Sequence, residues 1–190
     1  RKDDIFRKFW ELYHVDSISG QWDYTEPMMF GYATGKLIES FIRFYGLKKK
    51  RIVAHFHEWL TGAALLYLKE SQPQVGTIFT THATVIGRSM AGNHQPLYRN
   101  LASINAEEKA RELDVVAKQS VEKITAQQAD VYTTVSELTA RECQYFHRRK
   151  VDLTTPNGFE DSMIPSTGEF GERRSNAREK LLKVASLLTG

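Results

Sequence analysis

Apolar positions recur along this chain at two periods, and the places where the period changes mark out its elements. Residues 3–13 set Ile5, Phe6, Phe9, Trp10 and Tyr13 three or four apart, the spacing of an amphipathic helix. A polar loop carrying Ser17, Ser19, Gly20, Asp23 and Pro27 follows. Over 28–45, Phe30, Ala33, Leu37, Phe41 and Tyr45 rebuild a helical stripe, widened by Ile38, Ile42 and Phe44, and that face is expected to pack on a sheet. Gly46 marks the stop.

The period then shortens. Residues 51–56 read as a buried strand, followed by a nearly apolar helix over 58–70. A second strand runs from Val75 to Thr81 and ends at His82. From Ala83 to Ser103 the pattern dissolves into a long loop, a kind of segment that is usually functional. A helix resumes near 106, capped by Asn105 with Glu108 three residues on, and ends near 129. Residues 131–135 form a third strand, and Ser136 caps a helix reaching about Arg148. Residues 151–153 form a brief fourth strand, and Pro156, Asn157 and Gly158 then predict a tight turn. After a polar, turn-rich stretch over 160–175, a last helix over 176–188 carries Leu181, Leu182, Ala185 and Leu188 on one side. Strands alternating with helices predict an α/β fold, a mostly parallel sheet with helices on both faces.

This order carries a chemical consequence. The C-terminal ends of parallel strands lie along one edge, where open α/β sheets place their ligands. Four polar clusters are expected there: His57-Glu58, Thr81-His82, Ser136-Glu137 and Asn157-Gly158. His55 lies deeper in its strand and reads as structural, which leaves His57 and His82 as the working pair. His-x-His with a third histidine and a carboxylate is acceptable zinc or iron chemistry. No further ligand motif accompanies it, and no metal is expected. A cap explains Ser136, and there is no Gly-x-Gly-x-x-Gly or Walker loop to hold phosphates.

Composition narrows the class. The 190 residues suit one domain with a terminal extension, and 41% hydrophobic content supports a packed core. A net charge of +3 gives no reason to expect nucleic acid, and Lys48-Lys49-Lys50-Arg51 reads as a solvated loop. The single cysteine, Cys143, cannot form an internal disulfide, so a reduced, cytoplasmic setting is expected. No apolar run approaches the roughly 18 residues that span a bilayer, so no membrane partner is expected. The chain opens on Arg1 rather than Met and is helical at once, which leads to the expectation of a piece of something longer.

Several blocks also resemble a known family. Val53-Ala54-His55-Phe56-His57-Glu58-Trp59-Leu60-Thr61-Gly62, the run Thr77 to Arg88, Thr133-Thr134-Val135-Ser136 and Thr155-Pro156-Asn157-Gly158 are similar, in sequence and spacing, to the glycogen synthases of the animal and fungal type, glycosyltransferase family 3. Trp22-Asp23-Tyr24 and Met29-Phe30-Gly31-Tyr32 extend the resemblance forward, whereas 159–190 match poorly. The resemblance implies a GT-B enzyme with two Rossmann-like domains. Residues 1–158 would be part of the N-terminal one and 159–190 the approach to the interdomain linker. It implies retaining transfer of glucose from UDP-glucose to the non-reducing end of an α-1,4-glucan, with no cofactor and no metal. His57 would match the catalytic histidine that contacts the donor sugar. Glu58, His82, Arg88, Asn157 and Gly158 would be substrate-binding residues of the cleft. The family's Gly-rich first loop and its donor-phosphate Arg and Lys would lie outside this chain, so the chain alone is expected to be inactive. The longer protein could be a homo-oligomer, with the nucleotide sugar and glucan as partners. Two other readings stand beside this one: a metal-dependent hydrolase using His55, His57 and His82, and a glucan-binding module using Trp10, Trp22 and Trp59, whose spacing nonetheless favours core positions.

Overall fold

The computed structural model describes residues 1–158 and 160–189. Their contacts divide into two compact units, Arg1–Pro156 and a second that begins at Asn157. The first unit runs α1 (Lys2–Tyr13), α2 (Trp22–Phe44), β1 (Val53–His57), α3 (Gly62–Ser71), β2 (Gly76–Thr81), α4 (Val85–Gly92), α5 (Ala106–Glu112), α6 (Val116–Gln128), β3 (Val131–Thr134), α7 (Glu137–Phe146) and β4 (Leu153–Thr154). The strands form one sheet in the order β1-β2-β3-β4. Every neighbouring pair is parallel, with His57 opposite Thr80 and Thr80 opposite Thr133.

The predicted α/β class and parallel sheet are present. The helices, however, gather on one face. Phe56, Phe79 and Tyr132 point toward them and are buried in a core shared with α2, α3 and α6. Each such side chain contributes about 1.5–3 kcal/mol by burial. On the other face Val53, Val131 and Leu153 are 63%, 39% and 58% exposed. Adding strands in chain order by right-handed crossovers lays every connecting helix on the same side, which accounts for the bare face.

The stripe expected to bury α2 points outward instead. Phe30, Leu37, Phe41 and Phe44 are exposed, while Tyr24, Met28, Gly31, Gly35 and Ile42 are buried. The contact is with α3 rather than the sheet, and it is a close one. A Cβ on Gly31 would lie 3.0 Å from Ala63 Cβ and 3.2 Å from the Ala64 backbone nitrogen. Small residues admit the neighbouring backbone, so packing geometry rather than apolar content selects the buried face. The helix also starts six residues before 28 and carries Pro27 inside it.

The loop expected over 83–103 contains α4 and a 3-10 turn over Tyr98–Ser103. Thr84 caps α4, its hydroxyl accepting from Gly87 N at 3.0 Å. The single helix expected over 106–129 is two, broken where Asp114 takes a left-handed φ of 55°. Trp10 and Trp22 lie at the surface, 50% and 72% exposed, not in the core.

Instead of the tight turn, residues 155–158 run without regular structure. Thr155 N still donates to Thr134 O at 2.7 Å, continuing the ladder. Pro156 disfavours helical backbone in the residue before it, so the chain leaves β4 extended. Asn157 and Gly158 open the second unit, which holds a 3-10 turn over Asp161–Met163 and α8 (Phe170–Thr189). On α8, Leu181, Leu182 and Leu188 are exposed.

Candidate active site at the strand tips

The tip of β1 is held by local backbone chemistry. Glu58 N donates to Thr80 O at 2.9 Å, which carries the ladder one residue past His57. The Thr61 hydroxyl donates to His57 O at 2.7 Å and closes the 3-10 turn that starts α3. Between them Glu58 adopts φ 62°, ψ 162°, a region that essentially only glycine visits without strain.

Three histidines share the bare face. His55 Nε2 meets Thr80 Oγ1 at 2.7 Å, and Thr80 Oγ1 meets Thr133 Oγ1 at 2.6 Å, so His55 is tied into the sheet. The His57 ring lies over His55 with centroids 4.2 Å apart. His57 Nδ1 meets His82 Nε2 at 3.0 Å. Partial burial lowers the proton affinity of His57, and His55 and His82 lower it further against the opposing pull of Glu58, which favours the neutral ring. Among the described residues, no group of three or more His, Cys, Asp or Glu side chains is placed to hold a metal ion.

The loop from β2 to α4, which carries His82, is gripped by three carboxylates from three elements. Glu58 Oε1 accepts from His82 N at 2.7 Å and Ala83 N at 3.2 Å. Glu142 Oε2 accepts from the Thr84 hydroxyl at 2.6 Å, and its other oxygen accepts from the Tyr98 hydroxyl at 2.7 Å. Glu122 Oε2 accepts from Val85 N at 2.9 Å. Gly87 makes room for this: a Cβ there would lie 2.0 Å from Glu142 Oε2. The fully buried Glu122 is balanced by His147 at 2.8 Å, whose Nδ1 meets the Tyr132 hydroxyl at 2.5 Å. Burial alone would drive the His147 proton off, but Glu122 and Cys143 outweigh it and push its pKa up to about 10. Nothing in the residue pattern marks Glu122, Glu142 or His147, because buried charge breaks an apolar stripe rather than extending it.

Glu58, Trp59, His82, Arg88, Ser89 and Lys118 line a cleft of 470 Å³ beside the strand tips. Arg88 also borders an adjoining hollow of 590 Å³ with Gln95, Tyr98, Thr139 and Glu142. Its side chain is 68% exposed and its guanidinium lies 3.9 Å from Glu58 Oε2, a loose surface pair that leaves its charge available. Lys118 is paired with Asp23 and lies 5.8 Å from the Trp59 ring centre. Four predicted residues, His57, Glu58, His82 and Arg88, thus come together at one edge. Ser136 serves as the cap of α7.

Comparison with known proteins now decides the family. The family model for glycogen synthase matches residues 2–185. This chain belongs to the glycogen synthase family. The match runs well beyond 158 and corrects the expectation of a poor fit over 159–190. A protein named glycogen [starch] synthase from Neurospora crassa is 33% identical over 172 residues, covering 90% of this chain and 24% of that protein. The one from Dictyostelium discoideum is 33% identical over 161 residues, 85% of this chain and 18% of its own length. Glycogen [starch] synthase isoform 2 of Saccharomyces cerevisiae is 32% identical over 173 residues, with 90% and 24% covered. The chain therefore spans about a quarter or less of these relatives.

Proposed function

We propose that this chain forms one wall of the cleft of a retaining glucosyltransferase, which moves glucose from UDP-glucose to the non-reducing end of an α-1,4-glucan in the cytoplasm. Family membership supports the reaction class. The observation that carries the site is the His57 ring: it stands at the strand tips, with Nδ1 committed to His82 and no partner at Nε2 among the described residues.

Retaining sugar transfer passes through an oxocarbenium-like state, in which a group that orients the sugar without adding positive charge is useful. A neutral imidazole meets that need. Its open Nε2 exchanges a hydrogen bond with a sugar or acceptor hydroxyl, while its depressed proton affinity keeps a second cation away from the developing one. Negative charge grows instead on the departing diphosphate. Arg88 is the exposed cation of this cleft and contributes to holding it. The reading places this wall within a GT-B arrangement whose other domain supplies the remaining phosphate contacts. No cofactor enters this scheme.

The reaction is tested by incubating the complete enzyme with UDP-[14C]glucose and glycogen. Label released by an enzyme specific for non-reducing α-1,4 ends is the expected outcome. Absence of glycogen-bound label, or release of free glucose alone, contradicts the assignment.

A further inference from the structure

We propose that His82 and Glu58 are positioning residues that hold the His57 ring in one orientation and one tautomer, leaving Nε2 as its sole free ring atom. The sequence places both among substrate-binding residues, but their contacts run to the protein. His82 spends Nε2 on His57 Nδ1 at 3.0 Å. Glu58 directs one carboxylate oxygen at the backbone nitrogens of His82 and Ala83. Its side chain is only 17% exposed, so little of it is open to a ligand.

The backbone of Glu58 shows how firmly the arrangement is held. A non-glycine residue at φ 62°, ψ 162° persists only where its surroundings over-determine it. Here the surroundings are its own amide bonded to Thr80 O, its carbonyl turned to the Thr61 hydroxyl, and its carboxylate bonded to the next strand tip. Glu58 therefore ties the end of β1 to the end of β2. The two histidines it separates and joins are the pair that hydrogen-bond each other. With one proton between them, His57 Nδ1 and His82 Nε2 can change tautomers only together, so His57 does not exchange on its own.

This inference rests on His57 as the sugar-facing group, but its test does not need turnover. Ring 15N shifts and titration of His57 are read by NMR on the 190-residue chain, with the backbone amide spectrum confirming the fold. Wild type is expected to show two well-separated ring nitrogen signals at neutral pH, the signature of one tautomer. In His82→Ala these should move together toward averaged values. His82→Gln, whose amide reaches the position of Nε2, should restore the separation. The groups facing His57 are His55, His82 and Glu58, with Arg88 behind Glu58. His82→Ala removes a repulsive neighbour and should raise the His57 pKa. Glu58→Gln keeps an oxygen for both backbone nitrogens, removes the charge and should lower it. Averaged tautomers in wild type, or unchanged His57 signals in a folded His82→Ala chain, would overturn the proposal while leaving the sugar-transfer reading standing.

Discussion

At Glu58 a side chain that looks like a cleft residue in the sequence is consumed by the fold. The backbone there gives a prediction of unusual sign. Alanine normally stabilises relative to glycine by up to about 1 kcal/mol, but φ 62°, ψ 162° reverses the order. Glu58→Gly and Glu58→Ala both lose the bonds to His82 and Ala83, and only Gly relieves the strain. The Gly variant is expected to be the more stable by about 1–3 kcal/mol in urea unfolding. The Ala variant being equal or better would mean that the strain is absent.

His147 makes a second prediction at this scale. Its pKa is raised from 6.5 to about 10 in the folded chain. The stability it contributes is full below pH 6.5 and is lost as pH rises through about 10. Denaturant midpoints should therefore fall across that window. Glu122→Gln, which removes the compensating charge from a fully buried pair, should cost about 3–5 kcal/mol and flatten that dependence. A midpoint that does not vary with pH in the unsubstituted chain would contradict the ion pair. Neither His147 nor Glu122 could be found by periodicity: each stands among other polar residues, Ser120 and Lys123 near Glu122 and Arg148 and Arg149 after His147, and nothing in the spacing marks which of them is buried.

Among the elements, the strands were the most legible. Short apolar runs ending in Thr-Thr-His or His-Phe-His-Glu have few competing readings, and β1, β2 and β3 lie where the alternation predicted. Helix existence was also readable, but helix facing was not. The stripe on α2 has the right period and points outward, because Gly31 and Gly35 bring α3 closer than any aromatic face allows. Here too the sign of a substitution separates the accounts. Gly31→Ala should raise helix propensity by about 1 kcal/mol, yet the new Cβ meets Ala63 Cβ at 3.0 Å and backbone at 3.2 Å. A net loss of about 1–3 kcal/mol is expected by chemical denaturation. A net gain would show that α2 and α3 have room to part. The α4 helix is hidden in the sequence because its glycines and short length mask the period, although Thr84 caps it.

For the whole molecule, the convergence of strand tips followed from topology alone, since parallel strands in chain order can deliver their C-terminal ends to one edge only. That accounts for His57, Glu58, His82 and Arg88 meeting. What topology could not supply was the division of labour among them, which depends on hydrogen bonds between groups 24 or 25 residues apart in sequence, such as His57 to His82 and Glu58 to His82. The same chain-order topology leaves one face of the sheet bare, where Val53, Val131 and Leu153 stand exposed. The central claim is that this edge takes part in glucose transfer through His57. Its most direct test is the turnover of His57→Ala in the complete enzyme, measured as [14C]glucose passed from UDP-glucose to glycogen. With the fold intact, the rate should fall by about 10²–10³-fold, the scale for losing one preorganised group at a reacting centre. Turnover like that of the unsubstituted enzyme would return His57 to a structural role and contradict the account.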